Sequence, residues 1–238
     1  MPADETMSTD VWVERLSLLE TGQGADVLDE AGLFHQTLSS TLLPLDRHAR
    51  LCGRAACLRG RASVSIRQPH AAQPADALES VVRPGSVVII DAGGFTGAAC
   101  LGGFVAYSLK RAGSVGLVTD GAVRDVDEIV ELGYPLFAAA RTPLNGARRW
   151  ALTHSDIPVT LPGQDGNAVS IAPGDLVLAD ADGIVVIPQA AERQIIEDSE
   201  RLLQIERAIG DQLKAGGERA EVMKANPRFQ HIRRWAGD

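Results

Sequence analysis

Short apolar runs alternate with helix-like segments through the middle of the chain. The runs predict three strands, the first of them apolar at every position and therefore covered on both faces of a sheet: 87–90, 115–119 and 135–139. Apolar residues at helical spacing between the runs predict helices over 102–111 and 124–131, each closely followed by a glycine that ends it. This order of strand, helix, strand, helix and strand is typical of an α/β sheet.

The flanking segments extend the same pattern. Residue spacing and composition predict three more helices, over 10–20, 24–33 and 75–82. They also predict one more strand, over 54–58. The dipeptide Asp182-Gly183 between two apolar runs predicts a β-hairpin. A charged, periodic stretch from Gln189 to Lys214 predicts a long exposed helix.

These elements predict a single α/β domain over residues 1–214, with a central β-sheet core flanked by helices and a helical C-terminal arm. The tail, 215–238, is interrupted at Gly216-Gly217 and at Pro227. Two interpretations of this tail stay open at the sequence level. It packs on a neighbouring subunit, or it is partly disordered.

Charge and cysteine content narrow the class of protein. A formal net charge of −8 predicts that the protein has no nucleic-acid partner, since nucleic acid is itself negatively charged. The sequence shows only a weak basic patch, in the tail, formed by Lys224, Arg228, Arg233 and Arg234. Three cysteines without CxxC spacing favour a reducing compartment. Neither a signal-peptide pattern nor an apolar stretch of ~20 residues is present, so we expect a cytoplasmic protein with no membrane partner.

Residues 91–128 hold the most informative chemistry. Glycines between a predicted strand and a predicted helix leave backbone amides open to an anion, and Arg124-Asp125 follows the next strand. A guanidinium binds a carboxylate bidentately, and a lone carboxylate suits hydrated Mg²⁺. The segment therefore predicts a site for a small carboxylate and a metal. Two simpler interpretations compete: a charge pair at a helix start, and a nucleotide loop whose glycine spacing this segment does not match.

The segment GLVTDGAVRDVDE, with the glycine turn before it, resembles the family that contains 4-hydroxy-4-methyl-2-oxoglutarate aldolases and the regulator of ribonuclease activity A. These aldolases are metal-dependent class II pyruvate aldolases. Looser similarity covers most of residues 24–214, through DVLDEAG, RLCGRA, PGSVVIID and PGDLVLADADGIVVIP. The resemblance implies a fold of the swivelling β/β/α type. It also implies a homo-oligomer, a trimer or a hexamer, with the site at a subunit boundary.

The resemblance also implies roles for individual residues. The carboxylate of a pyruvate-like substrate would rest on Arg124 and on amides at the helix start, here those of Gly102, Gly103, Phe104 and Val105. Asp125 would anchor Mg²⁺, Mn²⁺ or another divalent cation, which acts as a Lewis acid while a carbon–carbon bond breaks. The implied activity is retro-aldol cleavage of a 4-hydroxy-4-methyl-2-oxoglutarate-like substrate, decarboxylation of oxaloacetate, or both.

One position departs from the family pattern. The family places an acid twenty residues before Arg-Asp and another acid two residues after it; here these positions hold Gly103 and Glu128. Glycine can neither orient metal-bound water nor relay a proton. Two explanations stay open: aldolase turnover has been lost, or a water or another group replaces the acid, the nearby candidates being Asp91, Asp120 and Asp127.

The last implied catalytic residue is Glu206, which matches an acid that the family's C-terminal arm contributes to a neighbouring subunit. A solvated helix glutamate is the competing interpretation. The alternative function is that of a non-catalytic regulator that binds other proteins. That branch of the family typically lacks the aspartate after the arginine, whereas this chain has Asp125.

Overall fold

The computed structural model describes residues 10–67 and 76–237. The strands within these ranges are β1 (Leu43–Pro44), β2 (Leu51–Ala62), β3 (Ser86–Asp91), β4 (Ala99–Leu101), β5 (Gly116–Val123), β6 (Leu136–Arg141), β7 (Trp150–Ser155), β8 (Val159–Pro162), β9 (Ala168–Ile171), β10 (Leu176–Ala179) and β11 (Ile184–Ile187). The α-helices are α1 (Val11–Ser17), α2 (Thr21–Glu30), α3 (Gly103–Arg111), α4 (Val126–Glu131), α5 (Glu192–Lys214) and α6 (Arg219–Ala225).

Nine of the described strands form one mixed sheet. Its main path runs β1-β6-β5-β3-β2-β10-β11, while β4 pairs with β5 and β7 pairs with β2. Strands β2, β3, β5 and β6 run parallel, so their carboxyl ends meet at one edge. The long β2 shifts register between Arg59 and Gly60, where it turns from β10 and β3 towards β7. This irregularity lets the sheet curl.

The core fills both faces of the sheet because its central strands are apolar on both sides. β3 and β5 are buried at every position. One face packs against α3 and α4 through Ala106, Leu109 and Ile129. The other face is covered by the separate β8–β9 hairpin, and a third apolar cluster joins α1, α2 and α5 to β10 and β11. The result is a single mixed α/β domain with a curled central sheet, flanking helices and a long C-terminal helix, which confirms the predicted fold class.

Most of the predicted elements are confirmed, including the hairpin at Asp182-Gly183 and the long helix that ends at Lys214. The helix predicted over 75–82 is wrong in its described part, because only a 3₁₀ turn forms at Glu79–Val81 before the chain extends towards Pro84. Residue 75 lies outside the described residues. The helix predicted from Arg124 begins later, at Val126.

The tail after α5 packs on its own chain. The Arg228 side chain binds the carboxylates of Asp26 and Glu206, at 2.6 and 2.5 Å, and the Trp235 backbone N–H donates to Ala31. Phe229 joins the apolar cluster of α2 and α5. The tail therefore packs on the helices α2 and α5 of its own chain. The domain boundary predicted at residue 214 stays a prediction.

Within residues 10–67 and 76–237, no helix combines the length and the apolar character needed to cross a bilayer.

Gly60 tests the packing of the curled part of the sheet. A Cβ atom at position 60 would overlap the Trp150 ring and lie 2.6 Å from its Cη2 atom. We expect Gly60→Ala to lower the free energy of unfolding by about 1–3 kcal/mol through overpacking. The matched control is Gly210→Ala in α5, where a Cβ meets nothing and should raise stability by about 0.5–1 kcal/mol. Urea denaturation measures both; equal effects of the two variants would contradict the packing argument.

The ion pair between α1 and α5 predicts a pH dependence. Arg15 donates two hydrogen bonds, of 2.8 and 2.7 Å, to Glu200 and thereby lowers the pKa of that carboxyl. A lowered pKa in the folded state contributes stability above the unfolded pKa, ~4.3, and loses it as the pH falls through the folded value. We expect Glu200→Gln to cost about 0.2–1 kcal/mol at pH 7, since both side chains are partly exposed.

This difference should disappear as the pH falls through the lowered folded-state pKa of Glu200, where the wild-type carboxyl becomes protonated. The exposed Glu131 makes no ion pair among the described residues, so Glu131→Gln serves as the control and should match the wild type at each pH. Urea unfolding at several pH values measures the effect, and a constant offset at all of them would exclude this linkage.

Candidate active site

The candidate site lies at the edge where the parallel strands end. β5 finishes at Val123, and Arg124 continues the sheet contact by donating its backbone N–H to Leu101. Asp125 then adopts the left-handed conformation, with φ 57° and ψ 43°, which is uncommon for a residue other than glycine. This single conformation turns the chain sharply into α4. Helix α4 therefore starts after Asp125, and the Asp125 side chain is directed back to the start of α3.

Arg124 and Asp125 converge on the first residues of α3. The Asp125 Oδ2 atom accepts the Gly103 backbone N–H at 3.0 Å and lies 3.4 Å from Arg124 Nε. A Cβ atom at Gly102 would overlap Asp125 Oδ2 and lie 3.0 Å from Arg124 Cγ. Gly102 is therefore needed for the close approach of these side chains. Both remain about one-third exposed, at 33% and 38%, so they stay accessible to a ligand.

The free groups of this pair face outwards. Arg124 Nη1 and Nη2 make no hydrogen bond within the described residues, and neither does Asp125 Oδ1. The guanidinium can thus still bind an anion with its outer nitrogens. The carboxylate can still bind a cation with its outer oxygen.

The predicted cradle of backbone amides is smaller than the sequence implied. Gly103 N–H is already bound to Asp125, and Val105 N–H donates to the Gly102 carbonyl at 3.1 Å. Phe104 N–H has no acceptor within the part of the chain that the structure describes. Two of the four predicted amides are therefore used within the chain, whereas those of Gly102 and Phe104 donate no hydrogen bond within the described residues.

The residue types fit a hydrated divalent cation better than a fully coordinated one. Asp125 offers one free oxygen, and the nearby Glu128 carboxylate makes no hydrogen bond or ion pair within the described residues. No group of three or more metal-binding side chains occurs in residues 10–67 and 76–237. Mg²⁺ typically keeps several waters and uses one or two carboxylates. Asp125 and Glu128 would hold such an ion.

Asp91 and Asp120, considered as replacements for the missing acid, are held by strong partners. Asp91 is buried and binds Arg59 and Arg61 at 2.6 and 3.2 Å. Asp120 accepts the backbone N–H groups of Ala92 and Gly94, both at 2.6 Å. Burial raises the pKa of Asp120, and the nearby Asp91 charge adds to this effect. These two carboxylates fix the glycine turn, whereas Asp127 lies exposed on α4.

Sequence reasoning missed the two arginines that bind Asp91. Arg59 and Arg61 lie on the same face of the long strand β2, two residues apart, and this spacing was the only available signal. Their approach to Asp91 depends on the parallel pairing of Arg59 with Asp91 in β3.

Glu206 is bound within its own chain. Its carboxylate accepts a hydrogen bond from Gln23 at 2.9 Å and pairs with Arg228. It is therefore not the free, solvated glutamate of the competing interpretation. A role at a neighbouring subunit's site stays a prediction.

Two other groups of reactive side chains lie outside this site. A cavity of about 530 Å³ near α2 and the β8–β9 turn is lined by Phe34, His35 and Asp165 among others, and His35 pairs with Asp165 there. Burial raises the pKa of the three cysteine thiols to about 12, so they are poor nucleophiles: Cys52, Cys57 and Cys100.

Comparison with known proteins identifies the family. The sequence matches the RraA-like family, described as Aldolase/RraA, over residues 24–186. The chain belongs to the RraA-like family. A relative in Halalkalibacterium halodurans, named "Putative 4-hydroxy-4-methyl-2-oxoglutarate aldolase", is 30% identical over 182 residues, which are 75% of this chain and 80% of that protein. A 4-hydroxy-4-methyl-2-oxoglutarate aldolase of Thermus thermophilus is 36% identical over 105 residues, 44% of this chain and 60% of that protein.

Solved structures of RraA-like proteins have the same fold. Streptomyces coelicolor RraAS2, described as an unusual member of the RNase ES inhibitor RraA family, superposes with a TM-score of 0.71 at 29% identity, over 82% of this chain and 94% of that one. The RNA-processing inhibitor RraA of Thermus thermophilus gives a TM-score of 0.52 at 30% identity, over 68% and 92%. The resemblance stated from the sequence is confirmed at the level of family and fold.

Asp120 tests the assignment of a structural role. In Asp120→Asn an amide N–H₂ replaces one acceptor oxygen, so one of the two backbone N–H groups loses its partner. We expect the free energy of unfolding to fall by about 1–3 kcal/mol. Asp127→Asn, on the exposed face of α4, should stay within about 0.5 kcal/mol of wild type. Urea denaturation distinguishes the two; an Asp120→Asn protein as stable as wild type would contradict this role.

Proposed function

We propose that this RraA-like protein is a divalent-metal-dependent lyase that acts on a 2-keto acid derived from pyruvate. The reaction is retro-aldol cleavage of a 4-hydroxy-4-methyl-2-oxoglutarate-like substrate, decarboxylation of oxaloacetate, or both. The observation that carries the proposal is the convergence of Arg124 and Asp125 on the start of α3, with the outer atoms of both side chains free. Relatives named as aldolases support it.

Arg124 is the substrate clamp in this proposal. Its Nε lies 3.4 Å from Asp125 Oδ2, so its two Nη groups remain for a carboxylate. The free N–H of Phe104 at the start of α3 adds a donor for the same anion, although the helix is short. Together they orient the keto acid with its carbonyl towards Asp125.

Asp125 holds the cation, with Glu128 beside it. A bound Mg²⁺ or Mn²⁺ would supply a Lewis acid that draws electrons towards the keto group and so favours breaking the bond between the α and β carbons of the keto acid. The left-handed backbone of Asp125 matters here, because it directs the carboxylate to the substrate edge instead of along α4.

We further propose that the working form is a cytoplasmic homo-oligomer, a trimer or a hexamer, with Glu206 of one subunit near the site of the next. The site edge supports this assembly because it carries exposed aromatic rings. Phe104 is 85% and Tyr107 is 58% exposed on α3. Exposed aromatic side chains of this kind are enriched at interfaces between subunits.

Substitution of the two central residues tests the proposed lyase. We expect Arg124→Ala and Asp125→Ala each to lower kcat/KM by at least about a hundredfold, since one removes the anion clamp and the other the cation ligand. The measurement is pyruvate release from 4-hydroxy-4-methyl-2-oxoglutarate and from oxaloacetate, with and without MgCl₂. Arg111→Ala, at the exposed far end of α3, is the matched control and should retain wild-type rates. Wild-type kcat/KM in both site variants would remove the assignment.

A second candidate function is that of a non-catalytic inhibitor that binds a ribonuclease. It is favoured by the similarity to RraAS2, described as an unusual member of the RNase ES inhibitor RraA family, and to the Thermus thermophilus RraA, described as an RNA-processing inhibitor. Affinity capture of partner proteins, run beside the lyase assay, separates the two functions. A stoichiometric ribonuclease partner together with no magnesium-dependent pyruvate release would favour the inhibitor.

A further inference from the structure

Gly103 stands where the family pattern has an acid, and the structure shows what occupies the space instead. A Cβ atom built on Gly103 would overlap the Glu128 carboxylate, at its Cδ and Oε2 atoms, and would lie 2.8 Å from Oε1. The acid two residues after Arg-Asp therefore reaches across from α4 and lies directly on the Cα of Gly103. A side chain at position 103 would therefore force the Glu128 carboxylate to move from its present position.

Gly102 lies as close to the Asp125 carboxylate as Gly103 does to that of Glu128. A Cβ on Gly102 would overlap Asp125 Oδ2, as a Cβ on Gly103 would overlap Glu128. The two carboxylates thus lie over consecutive Cα atoms at the start of α3. Asp125 is tied to Gly103 N–H, whereas the Glu128 carboxylate has no partner within the described residues.

A partnerless carboxylate in this place calls for an explanation. On an exposed helix a glutamate usually extends into water, which keeps its rotamer entropy. Glu128 is exposed as a residue, yet its carboxylate lies over the Cα of Gly103 and has no hydrogen bond or ion pair from the described residues. The carboxylate takes the place from which a side chain at position 103 would start.

We propose that Glu128 replaces the acid absent at position 103, as the residue that positions the waters of the cation held by Asp125. The inference rests on the proposed function, since it presupposes a cation at Asp125. Gly103 is then not a loss but the condition for this arrangement, because only glycine leaves room for the Glu128 carboxylate. Asp91 and Asp120 are not the replacements, since their own partners hold them.

The test measures cation binding by the apoprotein, without substrate. Isothermal titration with MgCl₂ and with MnCl₂ gives the Kd for wild type, Glu128→Gln and Gly103→Ala. Loss of an acid that orients metal-bound water typically weakens binding by about 10–100-fold. We expect the Kd of both variants to rise by an amount in this range. Glu128→Gln removes the negative charge, and the new methyl group of Gly103→Ala displaces the Glu128 carboxylate. Glu131→Gln, on the same helix, should bind as wild type does.

Double variants show whether Gly103→Ala weakens cation binding by displacing the Glu128 carboxylate or by an independent defect at position 103. Gly103→Ala combined with Glu128→Gln should be no weaker than either single variant, because both act on the same carboxylate. Gly103→Asp combined with Glu128→Ala moves the acid to position 103 and should recover at least about tenfold of the affinity lost in Glu128→Ala. Additive losses, no recovery by the relocated acid, or wild-type affinity in Glu128→Gln would each overturn the inference.

Failure of this inference is distinguishable from failure of the proposed function. If Asp125→Ala binds Mg²⁺ and Mn²⁺ as tightly as wild type does, the cation site itself is wrong and both proposals fall. If Asp125→Ala loses binding but Glu128→Gln does not, only the role of Glu128 falls. Urea unfolding of each apoprotein shows that weakened binding is not a consequence of unfolding, and the isosteric Glu128→Gln keeps the test valid if Gly103→Ala folds poorly.

Discussion

The arrangement of the candidate site depends on the close approach between the end of β5 and the start of α3. Two consecutive residues without side chains, Gly102 and Gly103, let the carboxylates of Asp125 and Glu128 lie against the backbone of α3. The left-handed conformation of Asp125 provides the second half of the constraint, since it sends the chain back over α3. Neither feature alone would bring a guanidinium, two carboxylates and a free amide to one edge.

Beneath this exposed edge lies a rigid polar layer. Asp91 is buried at the end of β3 and accepts hydrogen bonds from three donors, and Asp120 is buried within β5 and accepts two. Buried carboxylates are costly unless they are fully hydrogen-bonded, and here they fasten the glycine turn that follows β3. The buried acids, Asp91 and Asp120, therefore stabilise the glycine turn. The exposed acids, Asp125 and Glu128, keep oxygen atoms available to a ligand.

The parts of the fold that were predictable from sequence are those with a strong local signal. β3 is apolar over 87–90 and is covered on both faces, and Gly113 and Gly133 follow α3 and α4 with positive φ. The strands β7 to β9 were overlooked because, at six, four and four residues, they are too short for their alternation of buried and exposed positions to stand out in the sequence. Arg124 and Asp125 were identifiable from their motif. The contact of Glu128 with Gly103 was not, because it depends on a backbone angle at Asp125 that no residue pattern specifies.

The three shielded thiols have a practical consequence for experiments on this molecule. With a pKa near 12, Cys52, Cys57 and Cys100 carry very little thiolate at neutral pH and react slowly with maleimides. A cysteine introduced on an exposed helix face would be the fastest-reacting sulfur in the chain. Fluorophores or spin labels could therefore be attached at one chosen place without first removing the native sulfurs.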